Sequence, residues 1–228
     1  MYGKIMQALI LAAGKGERMR PLTLIKPKPL LEVCGTTLLE HHLINLEKAG
    51  YKEIVINVSW LAQQIMKKIG NGSQYNVSVK YSHEGDEPLE TGGGIVNALK
   101  LLKQEAFLVV NADIKSDFCF SDISLRNNSL AHLVLVNNPQ HHPNGDFSIN
   151  SKSQLNYSNE SDKLTYSGIG IYHPEFFKDC RVEKFKLAPL LRKHMDSRQI
   201  TGQQHLGQWS DIGTIDRLSE INLDCKKK

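Results

Sequence analysis

The sequence predicts an α/β protein: a mixed, mostly parallel sheet with helices on both faces, and a small antiparallel region in the second half. Three observations carry this. Short apolar runs alternate with helical patterns through the first 136 residues. Several of those runs, such as Leu9-Ile10-Leu11 and Phe107-Leu108-Val109-Val110, are apolar without a break, as strands buried on both sides are. From residue 137 to 165 the chain turns polar and rich in Asn, Ser, Gly and Pro, with only weak alternation at 147–149 and 155–157.

Taken in order, residues 7–12 read as a buried strand, 38–49 as a helix closed by Gly50, and 53–58 as the next strand. A helix over 60–69 has Ser59 placed to cap it and Gly70 to end it. A strand at 77–82, a helix over 94–102 and a strand over 106–110 follow, the last running into Asn111-Ala112-Asp113, and 132–136 is another strand. The polar stretch 137–165 is expected to lay antiparallel strands and loops over one edge of the sheet. Residues 167–172 form a Gly-punctuated strand. The helix over 186–195 must begin near Pro189, because proline is tolerated only in the first turn. A last helix over 215–225 starts from Thr214 as its cap. There is no internal repeat and no long linker, so residues 1–228 are expected to form one domain.

Composition limits the function. Hydrophobic residues at 40% and charged residues at 23% are those of a folded soluble protein rather than a disordered one. The net charge is +4, and Lys226, Lys227 and Lys228 supply most of it, so the body is near neutral and no nucleic-acid partner is expected. The apolar run 5–13 is too short to span a bilayer and lacks a basic leader, so no membrane partner is expected and the cytoplasm is the expected location. Cys34, Cys119, Cys180 and Cys225 are widely spaced, which argues against zinc and a dense disulfide framework and suits a reducing compartment. Met6 is an alternative start, with 1–5 a tag remnant or an upstream initiation. No coiled-coil pattern or apolar stripe indicates an oligomeric state.

The chemistry concentrates after the first strand, in Gly14-Lys15-Gly16-Glu17-Arg18-Met19-Arg20-Pro21-Leu22-Thr23 and then Lys26-Pro27-Lys28-Pro29-Leu30. Glycines let backbone approach a phosphate chain, and successive N–H groups can form an anion nest. Arg18, Arg20, Lys26 and Lys28 add positive charge that complements a triphosphate. A P-loop requires GxxxxGK[ST], which is absent. A dinucleotide fingerprint requires a third glycine where Met19 stands, a helix opening at once rather than near Leu38, and an acid ending the second strand, where Asn57 and Val58 stand. A kinase requires an HRD loop, also absent. A lone GxG fits any tight turn with solvated cations; GxGxRxRPLT followed by KPKPL is far more specific.

At these residues the chain resembles the sugar-phosphate nucleotidyltransferase family, whose fold is a Rossmann-like mixed α/β sheet. In that family the GxGxR loop wraps a nucleoside triphosphate and the lysine of PKPL contacts phosphate. The resemblance implies those roles for Gly14, Lys15, Gly16, Glu17, Arg18 and Lys28, the last favoured over Lys26 because Pro27 and Pro29 flank it. It implies that the loop from Glu84 to Gly94 closes around base and sugar, with Gly92 and Gly93 among the nucleotide contacts; a helix cap with a surface loop is the plainer reading. Asn111 is implied at the substrate and Asp113 as a Mg²⁺ ligand, although the family more often has NGD and Ala112 departs from it. Trp209-Ser210-Asp211-Ile212-Gly213-Thr214 resembles the family's WxDxGT segment, which implies Asp211 as the second metal ligand. A solvated aspartate at a strand end is the alternative for either.

Further stretches, PLETGGG, AHLVLVNNPQHHPNGDF, TYSGIGIYHP and FKLAPLLR, resemble the branch that moves a uridylyl group from UTP to the 1-phosphate of a cell-wall amino sugar in peptidoglycan recycling. That implies a nucleotide-binding part at about 6–136, an acceptor-sugar part at about 137–214 containing Gly145 and Asp146, and a helix and tail at 215–228. Lys186 is implied at the sugar phosphate, and Arg18, Lys28 and Asp113 as the catalytic set. His141 and His142 are assigned no chemistry. Guanylyl-, thymidylyl- or cytidylyltransferases share the same residues. A non-catalytic sugar-nucleotide sensor is the alternative outside catalysis, and the presence of Arg18, Lys28, Asp113 and Asp211 together argues against it.

Overall fold

The apolar runs condense into a seven-stranded sheet in a computed structural model that describes residues 7–157 and 162–226. The expectations for residues 1–6 and for the basic end beyond Lys226 lie outside the described residues. In chain order the first elements are β1 (Gln7–Leu11), α1 (Leu22–Ile25), β2 (Glu32–Val33), β3 (Thr36–Thr37), α2 (Leu38–Lys48) and β4 (Glu53–Val58). Next come α3 (Ala62–Ile69), β5 (Ser78–His83), α4 (Glu90–Ala98), β6 (Phe107–Asn111), β7 (Ile114–Ser116) and β8 (Ala131–Val136). The second half adds β9 (Ser148–Ile149), β10 (Leu155–Asn156), β11 (Thr165–Tyr172), α5 (Leu187–Asp196), β12 (Ile200–His205), β13 (Trp209–Asp211) and α6 (Ile215–Lys226).

The strand order is β12-β8-β11-β6-β1-β4-β5, and only β11 runs antiparallel to its neighbours β6 and β8. Alternate residues of β1 feed two cores. Ala8 and Ile10 join Leu39, Leu43 and Leu46 of α2 and Ile65 and Ile69 of α3 on one face. Leu9 joins Ile95 of α4 and Leu187, Leu191 and Met195 of α5 on the other. Burial on both faces is why these strands carry no polar alternation. A third, small cluster of Met19, Leu31, Val33, Leu38 and Ile212 lies beneath α6.

The expected sheet and helix layers are therefore present, with local differences. Ser59 is not a helix cap: α3 starts at Ala62 behind a left-handed Leu61, and the Ser59 hydroxyl donates to the Gly85 carbonyl at 2.8 Å. Helix α4 begins at Glu90, four residues before the expected start at 94, because packing against residues 183–185 overrides the poor helix propensity of its three glycines. A short helix, α1, stands well before Leu38. Strand β12 forms one edge of the sheet, buried at Ile200–Gly202 and ending in the polar Gln203-Gln204-His205, a pattern with no apolar run to mark it as a strand. The antiparallel pair β9–β10 lies against it as expected for the polar stretch, through a Gln154–Thr201 bridge.

Helix α2 begins with a capping box: the Glu40 amide donates to Thr37 Oγ1, and the Glu40 carboxylate accepts from the Thr37 amide. Burial pushes the Glu40 carboxyl up, but hydrogen bonds from Thr37, Tyr75 and Lys68 outweigh it and hold the group down at about 2. A depressed carboxylate contributes stability that is present above its ordinary value near 4.5 and lost as pH falls toward 2. Glu40→Gln is accordingly expected to lower the urea midpoint clearly at pH 7 and less at pH 3. An equal loss at both values would show that the charge contributes nothing.

Candidate active site

Open α/β sheets bind ligands in the crevice outside the carboxyl ends of their strands, where successive connections leave in opposite directions. Here that point is β1. The chain goes from β1 to β4 and β5 on one side, then returns to β6 on the other. Leu11–Met19 leaves the end of β1 and Asn111–Asp113 the end of β6, and together they wall a cavity of about 540 Å³. Gly14, Lys15, Gly16, Glu17, Arg18, Lys28, Asn111 and Asp113 all line it. Eight of the sequence-predicted site residues thus converge on one crevice.

The two glycines of the loop have different tasks. Gly16 adopts φ +63°, and a Cβ there would meet the Thr23 methyl at 2.8 Å. Its carbonyl accepts from Thr23 Oγ1 at 2.8 Å and from the Met19 amide at 2.9 Å, so the turn is closed on itself. Gly14 has nothing within 4 Å of a Cβ position, which leaves room on the cleft wall for a ligand to meet bare backbone.

Charge is paired across the cleft. Lys28, brought back by the Pro27-Lys28-Pro29 turn, forms an ion pair with Asp113 that is largely shielded from solvent. Lys15 reaches over to Glu87 at 2.8 Å, joining the phosphate loop to the loop before α4, and it holds the Glu87 carboxyl below its ordinary range. Arg18 lines the cavity and makes no ion pair among the described residues. Beneath Asp113 lies His42 of α2; burial pushes its imidazole down to about 4 against the opposing pull of Asp113. It stays neutral near pH 7 and adds no charge to compete with Lys28.

Asp211 lies beside Asp113 in the backbone. β13 pairs with β7, Asp211 stands opposite Ile114, and the Ile212 amide donates to the Asp113 carbonyl at 2.7 Å. Gly213 lines the cavity, while the Asp211 carboxylate is held by Arg217 of α6 and by His141 at 3.0 Å. His141 thus takes part in this cluster, a role its sequence position did not signal.

Other expectations fall elsewhere. Gly92 and Gly93 do not line the cavity: both amides donate to the Phe185 carbonyl, and a Cβ would strike the Phe185 ring or the Glu183 backbone. Their smallness serves packing of α4. Gly145 makes a left-handed turn, and Asp146 accepts from the Tyr166 amide at 2.8 Å and lies 3.1 Å from His142 Nε2. The first contact holds the 137–146 loop to β11 and the second braces the loop within itself, and none of these residues lines the cavity. Lys186 is the exposed N-cap residue of α5, whereas Lys184, two residues earlier, lines the cavity.

Asn57 and Glu84 were also missed. Asn57 accepts from the Ala12 amide and donates to Glu84, whose other oxygen accepts from the Leu89 amide at 2.7 Å. Burial raises the Glu84 carboxyl above its ordinary range, opposed by the bonds from Leu89 and Asn57. This relay ties the ends of β1, β4 and β5 to the start of α4. Its only trace in the sequence is a polar residue interrupting an apolar strand end.

This fold and cleft define a nucleotide-handling α/β enzyme class, and the comparisons agree. The Nucleotidyl transferase family profile matches residues 7–228, so the chain belongs to that family. N-acetylmuramate alpha-1-phosphate uridylyltransferase of Neisseria meningitidis is 49% identical over 222 residues, covering 94% of this chain and 96% of its own. The mannose-1-phosphate guanylyltransferase catalytic subunit beta of Danio rerio is 40% identical over 121 residues, but these are 52% of this chain and 33% of that one. A Bacillus anthracis structure described as a candidate glucose-1-phosphate thymidylyltransferase superposes with a TM-score of 0.85 over 98% of this chain and 96% of its own, at 18% identity, which shows shared fold.

The glycine geometry separates two failures. Gly16→Ala is expected to lower thermal stability, because the added methyl meets Thr23 in a left-handed turn. Gly14→Ala is expected to leave stability unchanged and to weaken nucleoside triphosphate binding by about tenfold or more, at a cost of roughly 1.4 kcal/mol. Calorimetry of the two variants with and without UTP reads both, and equal loss of stability would reject the distinction.

Proposed function

We propose that the chain transfers a uridylyl group from UTP to N-acetylmuramate α-1-phosphate, giving UDP-N-acetylmuramate and pyrophosphate, in cell-wall sugar recycling in the cytoplasm. The observation that carries the substrate is similarity to the Neisseria enzyme along almost the whole of both chains, acceptor part included. The shorter guanylyltransferase match is confined to about half of this chain. For the reaction, support comes from the cations and carboxylate gathered at the end of β1.

In this reading an oxygen of the sugar phosphate attacks the α-phosphorus of UTP in line. The phosphate monoester is already ionised near neutral pH, so no side chain has to act as a strong base. Positioning and charge neutralisation do the work. The Gly14–Gly16 backbone and Arg18 receive the triphosphate, Lys28 takes charge developing on the leaving pyrophosphate, and Lys184 adds a further cation on the opposite wall. Asp113 and Asp211 are two hard oxygen donors on adjoining strand ends, a donor set that suits Mg²⁺ completed by phosphate oxygens and water. When bound, the ion would supply positive charge shared between nucleotide and acceptor phosphates.

Asp113→Asn is expected to keep the fold and to lower kcat by about a hundredfold or more, the scale of losing a principal electrostatic stabiliser. Wild-type turnover in that variant would remove Asp113 from the site. Lys28→Ala is expected to act mainly on UTP, raising its KM.

The overall reaction is tested by pyrophosphate release with Mg²⁺, offering UTP, GTP, CTP and dTTP against several sugar 1-phosphates. Release with UTP and N-acetylmuramate α-1-phosphate alone is the expected result. Release with another pair would keep the chemistry and replace the substrate. No release from folded protein would favour a sugar-nucleotide sensor.

A further inference from the structure

Away from the cleft wall, Cys34 and Cys225 are joined across 191 residues, with their Cα atoms 5.6 Å apart, a separation that a disulfide spans without moving backbone. Cys34 sits at the tip of the β2–β3 hairpin, where it and Gly35 both have positive φ, and Cys225 lies on the last turn of α6. Lys115 of β7 places its ammonium 2.5 Å from the Cys34 sulfur and 3.5 Å from the Cys225 sulfur. A lysine beside a cysteine favours the thiolate, which is the form that reacts with oxidants and disulfides. Lys115 and Cys225 also line a second cavity, of about 590 Å³, bounded by Asp117, Trp209, Arg217, Glu220 and Asp224, which opens the Cys225 side of the pair to small molecules, while Cys34 is half-buried beside it.

We propose that Cys34 and Cys225, with Lys115 as the activating cation, are a reversible oxidation site that takes a hydroperoxide as oxidant and latches α6 onto the body of the protein. The Cys34 thiolate sulfur attacks the hydroperoxide, the O–O bond breaks, and Cys34 becomes a sulfenic acid while hydroxide or alkoxide leaves. The Cys225 sulfur then displaces the sulfenic hydroxyl, and that hydroxyl leaves as water with the Cys225 proton. Two thiols are oxidised and one hydroperoxide is reduced. A dithiol reverses the latch by exchange, ending as its own cyclic disulfide and restoring both thiols.

The hairpin and α6 are already matched for this. The Cys34 amide donates to Asn222 Oδ1 at 2.8 Å, and Asn222 Nδ2 donates to the Glu32 carbonyl at 3.0 Å. Leu218 and Ile221 rest on the cluster containing Met19, Leu31 and Ile212. These three residues adjoin Arg18, the Lys28 turn and Asp211, and the same helix carries Arg217, which holds the Asp211 carboxylate. The rest of α6 faces solvent, with Leu223 56% exposed, so its docking depends on few contacts and a covalent tie has much to add.

The test uses the full chain and does not depend on the transfer reaction. The reduced protein is treated with limiting hydrogen peroxide, then alkylated and mapped by mass spectrometry, and amide exchange is followed over residues 215–225. Cys34 and Cys225 are expected to lose alkylation together and ahead of the exposed Cys119, with exchange in α6 slowed about tenfold, and dithiothreitol is expected to restore both. Cys225→Ser should keep fast exchange in either condition, and Lys115→Met should slow disulfide formation about tenfold. Independent reaction of the two cysteines, or α6 exchange that ignores their state, would overturn the proposal.

Discussion

The ion pair between Lys28 and Asp113 is the contact on which the arrangement of the cleft depends. It joins the segment that returns from the phosphate loop to the end of β6, across the one place where the sheet opens. Residues 12–30 are also tied down by Lys15 to Glu87, by Trp60 and Gln64 donating to the Thr23 and Ile25 carbonyls, and by Met19 in the third cluster, but this pair is what fixes them to the end of β6. With it, the Gly16 turn, the α1 turn and the proline-flanked lysine form a closed circuit around the crevice. Lys28 is shielded at 12% exposure and Asp113 is open at 34%, so the pair holds the loop in register while the carboxylate keeps a face on the crevice. The third cluster serves the same end from below, since Met19, Leu31 and Ile212 pack the loop, the lysine turn and the Asp211 segment into one small core.

What could be read from the sequence follows from which physical signals are local. The strands of the first half were legible because burial on both faces removes polar residues from them, as in Leu9-Ile10-Leu11. The crevice was legible in two separate pieces: the bare backbone and cations of residues 14–28 lie close in sequence, and Asp113, 85 residues beyond Lys28, is marked by the end of an apolar strand. Features set by distant partners were not. The start of α4 is decided by Phe185 and Glu183, which press against Gly92 and Gly93, so glycines that resemble ligand contacts are packing sites. Ser59 has the chemistry of a cap but bonds to Gly85. Lys184 and Lys186 differ by two positions, and only the path of the segment into α5 decides which one reaches the cleft. The Cys34–Cys225 pair, 191 residues apart, carries no spacing signal at all.

The acceptor side shows a related limit. His141, His142, Gly145 and Asp146 read as one loop motif, and the structure divides them. Asp146 holds the loop to β11 with His142 on its other oxygen, while His141 turns to Asp211 and Arg217. Asp146 is used to satisfy the Tyr166 amide of β11, a partly buried donor that needs a partner. The one residue of the four that touches Asp211 is then the histidine for which composition offered no role.

The resting charges suggest why the cleft can be both stable and receptive. Two ion pairs stand in it, Lys15 with Glu87 and Lys28 with Asp113, and a third, Arg217 with Asp211, lies beside it, while Arg18 lines the cleft with no ion pair among the described residues. Within each pair neither charge lacks a counterion, which offsets the desolvation cost that isolated charges impose. In the proposed reaction a triphosphate is a stronger partner for Lys15 and Lys28 than a single carboxylate, and a divalent cation is a stronger partner for Asp113 and Asp211 than Lys28 or Arg217. Binding both together exchanges partners without stranding any ion, whereas binding either alone leaves half of each exchange incomplete. In that reaction, electrostatics of this form would favour joint loading of nucleotide and metal, because the pairs it exchanges are the ones set at the ends of β1 and β6 and by α6.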